Sequence, residues 1–255
     1  MSSDSRIAAA ALASALILSV VPAHAQQPEA AALSGLNHDA GCAPSSPSVK
    51  PVSALTVGAG REMGKSLFGI GDAVVIRGGT AQGVKTGDEY YVRRVVDDRF
   101  TEQQPGVYRV SVHTAGAVQI LEAQEDAAIA TVTYACDGVM QGDFLERFER
   151  PAIPAAEVGA SPDYAHPARL ILGAERRQSA AAGQFMVVDR GSDHGLRPGQ
   201  QLTIFRRTLP VGGPVAMVGK ATVFTVLPES SVVRIESSLD AVYVGDLVAI
   251  HRLRP

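Results

Sequence analysis

The chain has 255 residues, a formal net charge of −3 and no tryptophan. A near-neutral chain without a basic excess or an acidic tail is not typical of proteins that bind nucleic acid or anionic membranes. We therefore expect no nucleic-acid partner, and the length is enough for two small domains.

The first 25 residues have the order of a secretory signal peptide. Arg6 precedes an apolar run from Ile7 to Val21, and Ala23-His24-Ala25 places small residues ahead of a cleavage site. We predict cleavage after Ala25 and a periplasmic or secreted protein that is not an integral membrane protein once cleaved. An uncleaved N-terminal anchor is the alternative, although the run is short for a membrane span.

Two stretches have the composition of loops rather than of packed structure. Residues 26–54 are rich in Ala, Ser and Pro without periodicity, which predicts a disordered leader. Residues 151–167 contain four prolines among alanines, which predicts a linker. The remaining chain divides into module 1, residues 55–150, and module 2, residues 168–255.

The two modules repeat two motifs in the same order. Residues 79–87 and 191–199 share the pattern G-[ST]-x-x-G-[VL]-[KR]-x-G, and residues 137–143 and 240–246 share D-x-V-x-x-G-D. The offset is 112 residues for the first motif and 103 for the second, so module 1 has the longer loop between them. Two ordered motifs indicate an internal duplication.

Weaker matches extend the repeat. Arg93-Arg94 aligns with Arg206-Arg207, Gly116 with Gly219, and Gly58-Ala59 with Gly173-Ala174. The apolar residues Ala130 and Val132 align with Val233 and Ile235, and polar residues alternate with them in both copies. This period of two is the pattern of a half-buried strand.

Short segments rich in Val, Ile and Tyr predict the strands of module 1. They are Ala73–Arg77, Tyr90–Val96, Val107–Val112, Ala117–Ala123, Ala128–Tyr134 and Phe144–Phe148. Five or six such strands favour a small closed barrel, which leaves no open sheet edge. The predicted fold class is therefore all-β: two tandem antiparallel barrels of the SH3-like kind after the signal peptide and leader.

The repeated glycines predict turns rather than a ligand site, although a ligand loop is the alternative. Glycine permits positive φ and close approach of chains. Asp143 and Asp246 follow glycine at the start of the last strand, where we expect them to cap a turn. The predicted turn positions are Gly83, Gly87, Gly142, Asp143, Gly195, Gly199, Gly245 and Asp246.

The two cysteines, Cys42 and Cys136, both follow the predicted cleavage site. Two thiols in an oxidising compartment most simply form one disulfide, which would attach the leader to module 1. Two free thiols are the alternative.

Motifs for catalysis, metals or cofactors find little support. Residues 59–66 formally match a phosphate loop, but Leu67-Phe68-Gly69 cannot continue as the helix that such a loop needs. The histidines lack the close spacing of metal ligands. We therefore predict no nucleotide, cofactor or metal site, no catalytic residue and no enzyme activity.

The arginine pairs Arg93, Arg94, Arg206 and Arg207 are the candidates for contact with a partner. Adjacent side chains on a strand point to opposite faces, so one arginine of each pair could meet an anionic surface. The alternative is that these charges protect a solvated strand edge.

The glycine and V-x-x-G-D motifs over Gly191 to Ile250 resemble the C-terminal module of the flagellar assembly protein T family. The matching positions are Gly195, Leu196, Gly199, Arg206, Val218-Gly219-Lys220 and Gly245-Asp246. That resemblance implies a small periplasmic β-barrel associated with the flagellar basal body. Module 1 is also similar to β-domains that accompany peptidoglycan-binding LysM repeats. The predicted function is a non-enzymatic envelope protein that docks on a periplasmic assembly, with a peptidoglycan- or polysaccharide-binding accessory protein as the alternative.

Overall fold

The computed structural model describes residues 40–60, 64–96, 110–149, 161–208 and 214–252, together with residues 152, 154, 155 and 157. It contains two closed antiparallel barrels of six strands each. The predicted all-β class and the tandem repeat are confirmed. The predicted signal peptide lies outside the described residues. Within the described part of the chain, no helix is long and apolar enough to span a membrane.

Barrel 1 consists of six strands and a two-stranded ribbon formed by β2 and β7. Its elements are β1 (Thr56–Gly60), β2 (Leu67–Phe68), β3 (Ala73–Arg77), β4 (Glu89–Val96), β5 (Ser111–Ala123), β6 (Ala127–Ala135), β7 (Val139–Met140) and β8 (Phe144–Arg147). The segments predicted at 107–112 and 117–123 form one strand, β5, and residues 107–109 lie outside the described part.

Barrel 2 has the same composition, with a ribbon formed by β10 and β15. Its elements are β9 (Ser161–Gly173), β10 (Ser179–Ala180), β11 (Phe185–Val188), β12 (Gln201–Arg207), β13 (Val215–Val226), β14 (Ser231–Ser238), β15 (Val242–Tyr243) and β16 (Leu247–Arg252). The strand order is β1-β3-β6-β5-β4-β8 in barrel 1 and β9-β11-β14-β13-β12-β16 in barrel 2. Corresponding strands therefore occupy corresponding places.

Strand register shows which residues are equivalent, and it corrects two of the sequence alignments. The pairing has a bulge opposite the step from Val92 to Arg93 in β4 and opposite the step from Ile204 to Phe205 in β12, with the extra residue on β5 and on β13. Arg94 is therefore equivalent to Arg206, and Arg93 to Phe205. The alignment of Arg93-Arg94 with Arg206-Arg207 was one residue out of register, because both copies happen to contain an arginine pair.

The second correction concerns the first strand of each barrel. Gly60 pairs with Val74, and Gly173 pairs with Met186, which occupies the equivalent place in β11. Gly60 is therefore the equivalent of Gly173, and the alignment of Gly58-Ala59 with Gly173-Ala174 was wrong. Neither strand had been predicted, so no alternating pattern was available to set its register.

Each barrel encloses its own apolar core, because alternate side chains of every strand point inwards. In β3 the inward residues Val74 and Ile76 are buried, whereas Val75 points outwards and is 37% exposed. The glycine motif adds Val84 to the core of barrel 1 and Leu196 to that of barrel 2. Filled interiors indicate that any binding takes place on the outer surfaces.

The glycine motif forms a turn that packs on a hairpin of the same barrel. The backbone N–H of Thr80 donates to the carbonyl of Gln124 at 2.8 Å, and that of Ser192 donates to Leu227 at 3.0 Å. A Cβ on Gly79 or Gly191 would collide with these same carbonyl oxygens. Only glycine therefore allows the two backbones to approach this closely.

Six of the predicted turn glycines, Gly83, Gly87, Gly142, Gly195, Gly199 and Gly245, adopt φ between 77° and 99°. Other residues rarely adopt this left-handed conformation.

The structure differs from the sequence expectation in both loop-like stretches. Within the predicted leader, Ala40, Cys42, Ala43 and Ser46 are buried. Within the predicted linker, residues 161–167 belong to β9. Pro167 is tolerated because the pairing with β16 passes from Asp163 to Ala168, so that residues 164–167 bulge out of the ladder. Pro162 pairs with His251, in the part of β9 that has no pairing with β11 on its other side.

Candidate functional site: a cleft between the barrels

Residues 40–47, which we call the strap, cross from one barrel to the other. The Cys42–Cys136 disulfide attaches the strap to barrel 1, which confirms the predicted bond. Ser45 also forms a β-bridge with Val112 of β5, and its N–H donates to the Val112 carbonyl at 2.9 Å. The strap is therefore held to the outer surface of barrel 1 by a covalent bond and by an isolated β-bridge.

The other side of the strap faces barrel 2. Ala40 and Ala43 pack in one buried cluster with Phe185, Phe224 and Val232 of barrel 2. The rings of Phe185 and Phe224 lie 5.0 Å apart, centroid to centroid. These contacts bury apolar surface from both sides, so the strap holds the two barrels together.

A polar contact supports the same arrangement. The hydroxyl of Ser230, in the hairpin before β14, donates to the carbonyl of Ser46 at 2.6 Å. The barrels also meet directly, since β5 lies against the turn Ala174–Arg176. Residues 111–118 of β5 are buried on both faces, as expected for a strand between its own core and a neighbour.

A cleft of about 640 Å³ opens between the barrels, and the strap forms one of its walls. Its lining is largely apolar and comes from both barrels, the strap and the start of the segment between the barrels. The lining residues are Ala40, Gly41, Ala43, Pro44, Ser45, Tyr91, Arg93, Glu146, Arg147, Glu149, Ala152, Pro154, Pro198, Phe224, Thr225 and Val232. Its charged residues are two arginines and two glutamates, so the cleft has no strong net charge.

Arg93 is the best-connected polar residue of the cleft. Its Nη1 donates to Thr114 Oγ1 at 2.8 Å, and Thr114 Oγ1 donates to the Ala43 carbonyl of the strap at 3.2 Å. Its Nε lies 2.9 Å from Glu146 Oε2 as an ion pair without hydrogen-bond alignment. Its guanidinium also lies 4.6 Å from the centroid of the Tyr91 ring. Arg93 therefore organises the cleft wall.

Tyr91 contributes a rigid ring and a neutral hydroxyl. Burial raises the pKa of Tyr91, and burial also raises the pKa of Tyr134, beside the strap. The Tyr91 hydroxyl donates to the Glu149 carbonyl at 2.9 Å, and its ring packs at 4.6 Å from that of Phe148. Both phenols are neutral near pH 7, so they act as packing and hydrogen-bonding groups.

Arg94 and Arg206 lie away from the cleft, in two equivalent ion-pair clusters that we call the arginine clamps. Arg94 donates to both carboxylate oxygens of Asp143 at 2.7 Å, and to the Gly138 carbonyl at 3.0 Å. Arg206 donates to the carboxylate of Asp246 at 2.6 and 2.8 Å, and to the Ala241 carbonyl at 2.6 Å. Hydrogen bonds to these aspartates raise the pKa of both arginines.

Each clamp explains the D-x-V-x-x-G-D motif as a structural unit. The last aspartate also accepts the backbone N–H three residues earlier, at 2.8 Å, from Met140 in barrel 1 and from Tyr243 in barrel 2. The first aspartate adds a second charge, with Asp137 at 3.6 Å from Arg94 and Asp240 at 2.9 Å from Arg206. Asp143 and Asp246 thus hold both a turn and an arginine.

The structure separates the four arginines that the sequence grouped together. Arg94 and Arg206 are engaged inside their modules, and Arg93 lines the cleft. Arg207 is exposed and donates to the Tyr164 carbonyl at 3.0 Å. Contact of these residues with a partner remains a prediction.

Sequence reasoning missed the strap and the cleft. Only the two cysteines signalled that the strap belongs to the folded structure, since its Ala, Ser and Pro residues show no periodicity. In the apparent phosphate loop, Lys65 Nζ pairs with Asp72 at 2.7 Å and the residues after Ser66 form β2, not a helix. Among the described residues, no group of three or more His, Cys, Asp or Glu is placed to hold a metal ion.

Comparison with known proteins adds no relative: no protein-family model matches the chain, and no curated protein matches it.

Proposed function

We propose that this protein is an exported, non-catalytic scaffold of the bacterial cell envelope, which docks on a periplasmic protein assembly through the cleft between its barrels. The observation that carries the proposal is the strap. A disulfide-anchored segment joins two filled barrels into one unit with a shared concave surface.

The disulfide supports the choice of compartment. Structural disulfides persist in the periplasm and in secreted proteins, whereas cytosolic thiols are usually kept reduced. The signal-peptide pattern of the first 25 residues points to the same compartment.

The chemistry of the cleft favours a protein segment as its partner. Concave, mostly apolar surfaces with a few placed polar groups are typical of binding sites. Here the Arg93–Glu146 pair and the neutral Tyr91 supply the polar groups, and Phe224 with Val232 supplies apolar surface. The resemblance of residues 191–250 to the flagellar assembly protein T module supports a docking role of this kind.

Capture from envelope extracts tests the proposal when a cleft variant is compared with a matched control. Glu149→Lys changes an exposed residue of the cleft, and Glu125→Lys makes the same change in the exposed hairpin between β5 and β6. We expect the wild-type protein and Glu125→Lys to retain a protein partner that Glu149→Lys loses, with all three melting at similar temperatures.

Two outcomes would count against the proposal. Capture that is equal for both variants would place the partner outside the cleft. Pelleting with purified sacculi by the wild-type protein, reduced by Glu149→Lys alone, would instead assign the cleft to peptidoglycan.

A further inference from the structure

The contact between the barrels uses a different face of each. Barrel 2 presents an outer face made of Phe185, Val187, Phe224 and Val232, which are at most 5% exposed and which we call the acceptor face. Three of these residues pack on the strap, and Val187 packs beside them with Ile171 and Leu172 of its own barrel. Barrel 1 presents the surface beneath the strap, formed by Val112, Thr114 and Cys136, which we call the donor face. Since the barrels are copies, each also carries the face that the other uses.

The acceptor face of barrel 1 is uncovered. Val75 pairs with Ile129 between β3 and β6, and Val187 pairs with Val232 between the corresponding strands β11 and β14. Val75 is therefore equivalent to Val187, and Ile129 is equivalent to Val232. Leu121 and Phe224 lie at the same bulge of the fifth strand. Val75, Leu121 and Ile129 are 37%, 51% and 39% exposed.

The donor face of barrel 2 is uncovered as well. Val215, Met217 and Leu239 are equivalent to Val112, Thr114 and Cys136, and they are 40%, 46% and 72% exposed. The N–H of Leu239 donates to the Val218 carbonyl just as that of Cys136 donates to Ala115. No strap residue lies on this face, and Met217 and Leu239 are larger than the residues that they replace.

The charges around the two uncovered faces are complementary. Glu122 lies opposite Ile129, and Glu125 and Asp126 form the adjacent turn, all three exposed; Arg77 on β3 offsets part of this negative charge. On barrel 2, Arg207 lies opposite Val215, and Lys220 follows Met217 on β13. Asp240, next to Leu239, carries a negative charge that its ion pair with Arg206 offsets. Complementary charges at the rim of an apolar contact favour and orient association.

We propose that a second copy of this chain occupies these faces: the acceptor face of barrel 1 in one molecule binds the donor face of barrel 2 in the next. Within one molecule the strap lies between these two faces, whereas between molecules the larger side chains of Met217 and Leu239 would take the place of the strap. Because it uses two different surfaces, it is heterologous and generates an open chain or a ring. The proposal does not depend on the function proposed above. Three apolar residues on each side make a small interface, and small interfaces give weak association.

Sedimentation velocity of the disulfide-bonded protein, between about 1 μM and about 1 mM, tests the proposal. We expect the average mass of the wild-type protein to rise with concentration. Leu121→Asp, on the acceptor face, and Met217→Asp, on the donor face, should each weaken association about tenfold or more. Leu67→Asp, at a site 55% exposed on β2 and outside both faces, should behave as the wild type.

Mixing the variants gives the decisive result. Leu121→Asp keeps its donor face and Met217→Asp keeps its acceptor face, so a mixture should form a one-to-one dimer and no larger species. A wild-type protein that is monomeric at all concentrations would overturn the proposal. So would association that the two variants leave unchanged, or a mixture that does not pair.

A charge exchange provides a second test that does not alter the apolar residues. Glu122→Arg and Arg207→Glu should each associate less than the wild type, and their mixture should recover association because the exchanged charges match again. If the mixture does not recover association, although thermal unfolding shows that both variants are folded, the result would also contradict the proposed pairing.

Discussion

Barrels 1 and 2 share their strand order, their bulges and their arginine clamps, yet they differ in what covers their outer faces. Val75 in β3 is 37% exposed, whereas its equivalent in β11, Val187, is completely buried. Met217 in β13 is 46% exposed, whereas its equivalent in β5, Thr114, is 2% exposed beneath the strap. The duplicated residues thus maintain each barrel, and the residues that differ decide how the barrels meet.

Removal of the disulfide should lower the free energy of unfolding more than any other change predicted below. The bond distinguishes the two barrels, because barrel 2 has no equivalent. The double variant Cys42→Ser/Cys136→Ser releases the strap and the loop of 94 residues that the bond closes. The chain-entropy model gives a loss of about 4–5 kcal/mol in the free energy of unfolding. Urea unfolding measures it, with reduced wild-type protein as the control. A loss below about 1 kcal/mol would show that the strap is held without the bond.

Truncation at the equivalent positions Phe224 and Leu121 tests the difference between the covered and uncovered faces. Phe224→Ala should lower the free energy of unfolding by about 3 kcal/mol, since it removes a ring from the cluster beneath the strap. Leu121→Ala should change it by less than about 0.5 kcal/mol, because Leu121 is 51% exposed. Equal losses in urea unfolding would contradict the assigned faces.

The arginine clamps are predicted to differ in strength although their motifs match. Asp143→Asn leaves Arg94 with Asp137 at 3.6 Å, whereas Asp246→Asn leaves Arg206 with Asp240 at 2.9 Å. We expect Asp143→Asn to lower the free energy of unfolding by about 2 kcal/mol and Asp246→Asn to lower it by about 1 kcal/mol, since only Arg206 keeps a close carboxylate.

The control for the clamps is Asp126→Asn in an exposed turn, which should change the free energy of unfolding little. Urea unfolding compares the three variants. A larger loss for Asp246→Asn than for Asp143→Asn would reverse the predicted order.

The smallest predicted effect concerns pH. Burial lowers the pKa of His251, and nearby Lys220 lowers it further. As the pH falls through the ordinary histidine pKa, the unfolded chain therefore binds a proton before the folded one does. The contribution of His251 to the free energy of unfolding is therefore complete above the ordinary histidine pKa and is lost as the pH falls below it.

Barrel 1 has Phe148 at the position equivalent to His251, which supplies the matched variant. At low pH the wild-type protein should lose stability through His251, and His251→Phe should remove that part of the loss. Midpoints of urea unfolding, measured below and above the ordinary histidine pKa, test this. An NMR titration showing His251 at or above its ordinary pKa would contradict the prediction.

Much of the barrel architecture could be predicted because it depends on local pattern. The segment Ala73–Arg77 was predicted with the bounds that β3 has in the structure, since Val and Ile alternate there between turn residues. The strand β9 was missed, because Pro162 and Pro167 suggest a linker and the bulge that accommodates Pro167 depends on pairing with β16.

The strap and the cleft could be predicted only in part. The pairing of Cys42 with Cys136 followed from the number of cysteines and the expected compartment. That Ala40 and Ala43 pack on Phe224 could not be predicted, because small residues without periodicity carry no signal of what they contact. The equivalence of Arg94 with Arg206 agrees with the offset of 112 between the glycine motifs, but the neighbouring arginines made the alignment ambiguous until strand pairing was known.

By itself, the sequence determined the all-β class, the duplication and the disulfide, because strand alternation, glycine turns and paired cysteines are properties of short stretches of chain. Only the tertiary structure decided which outer faces are buried, where the strap lies and which arginines are engaged in clamps. Those outcomes depend on contacts between residues far apart in the chain, such as Ser46 with Ser230, and on register set by the whole barrel.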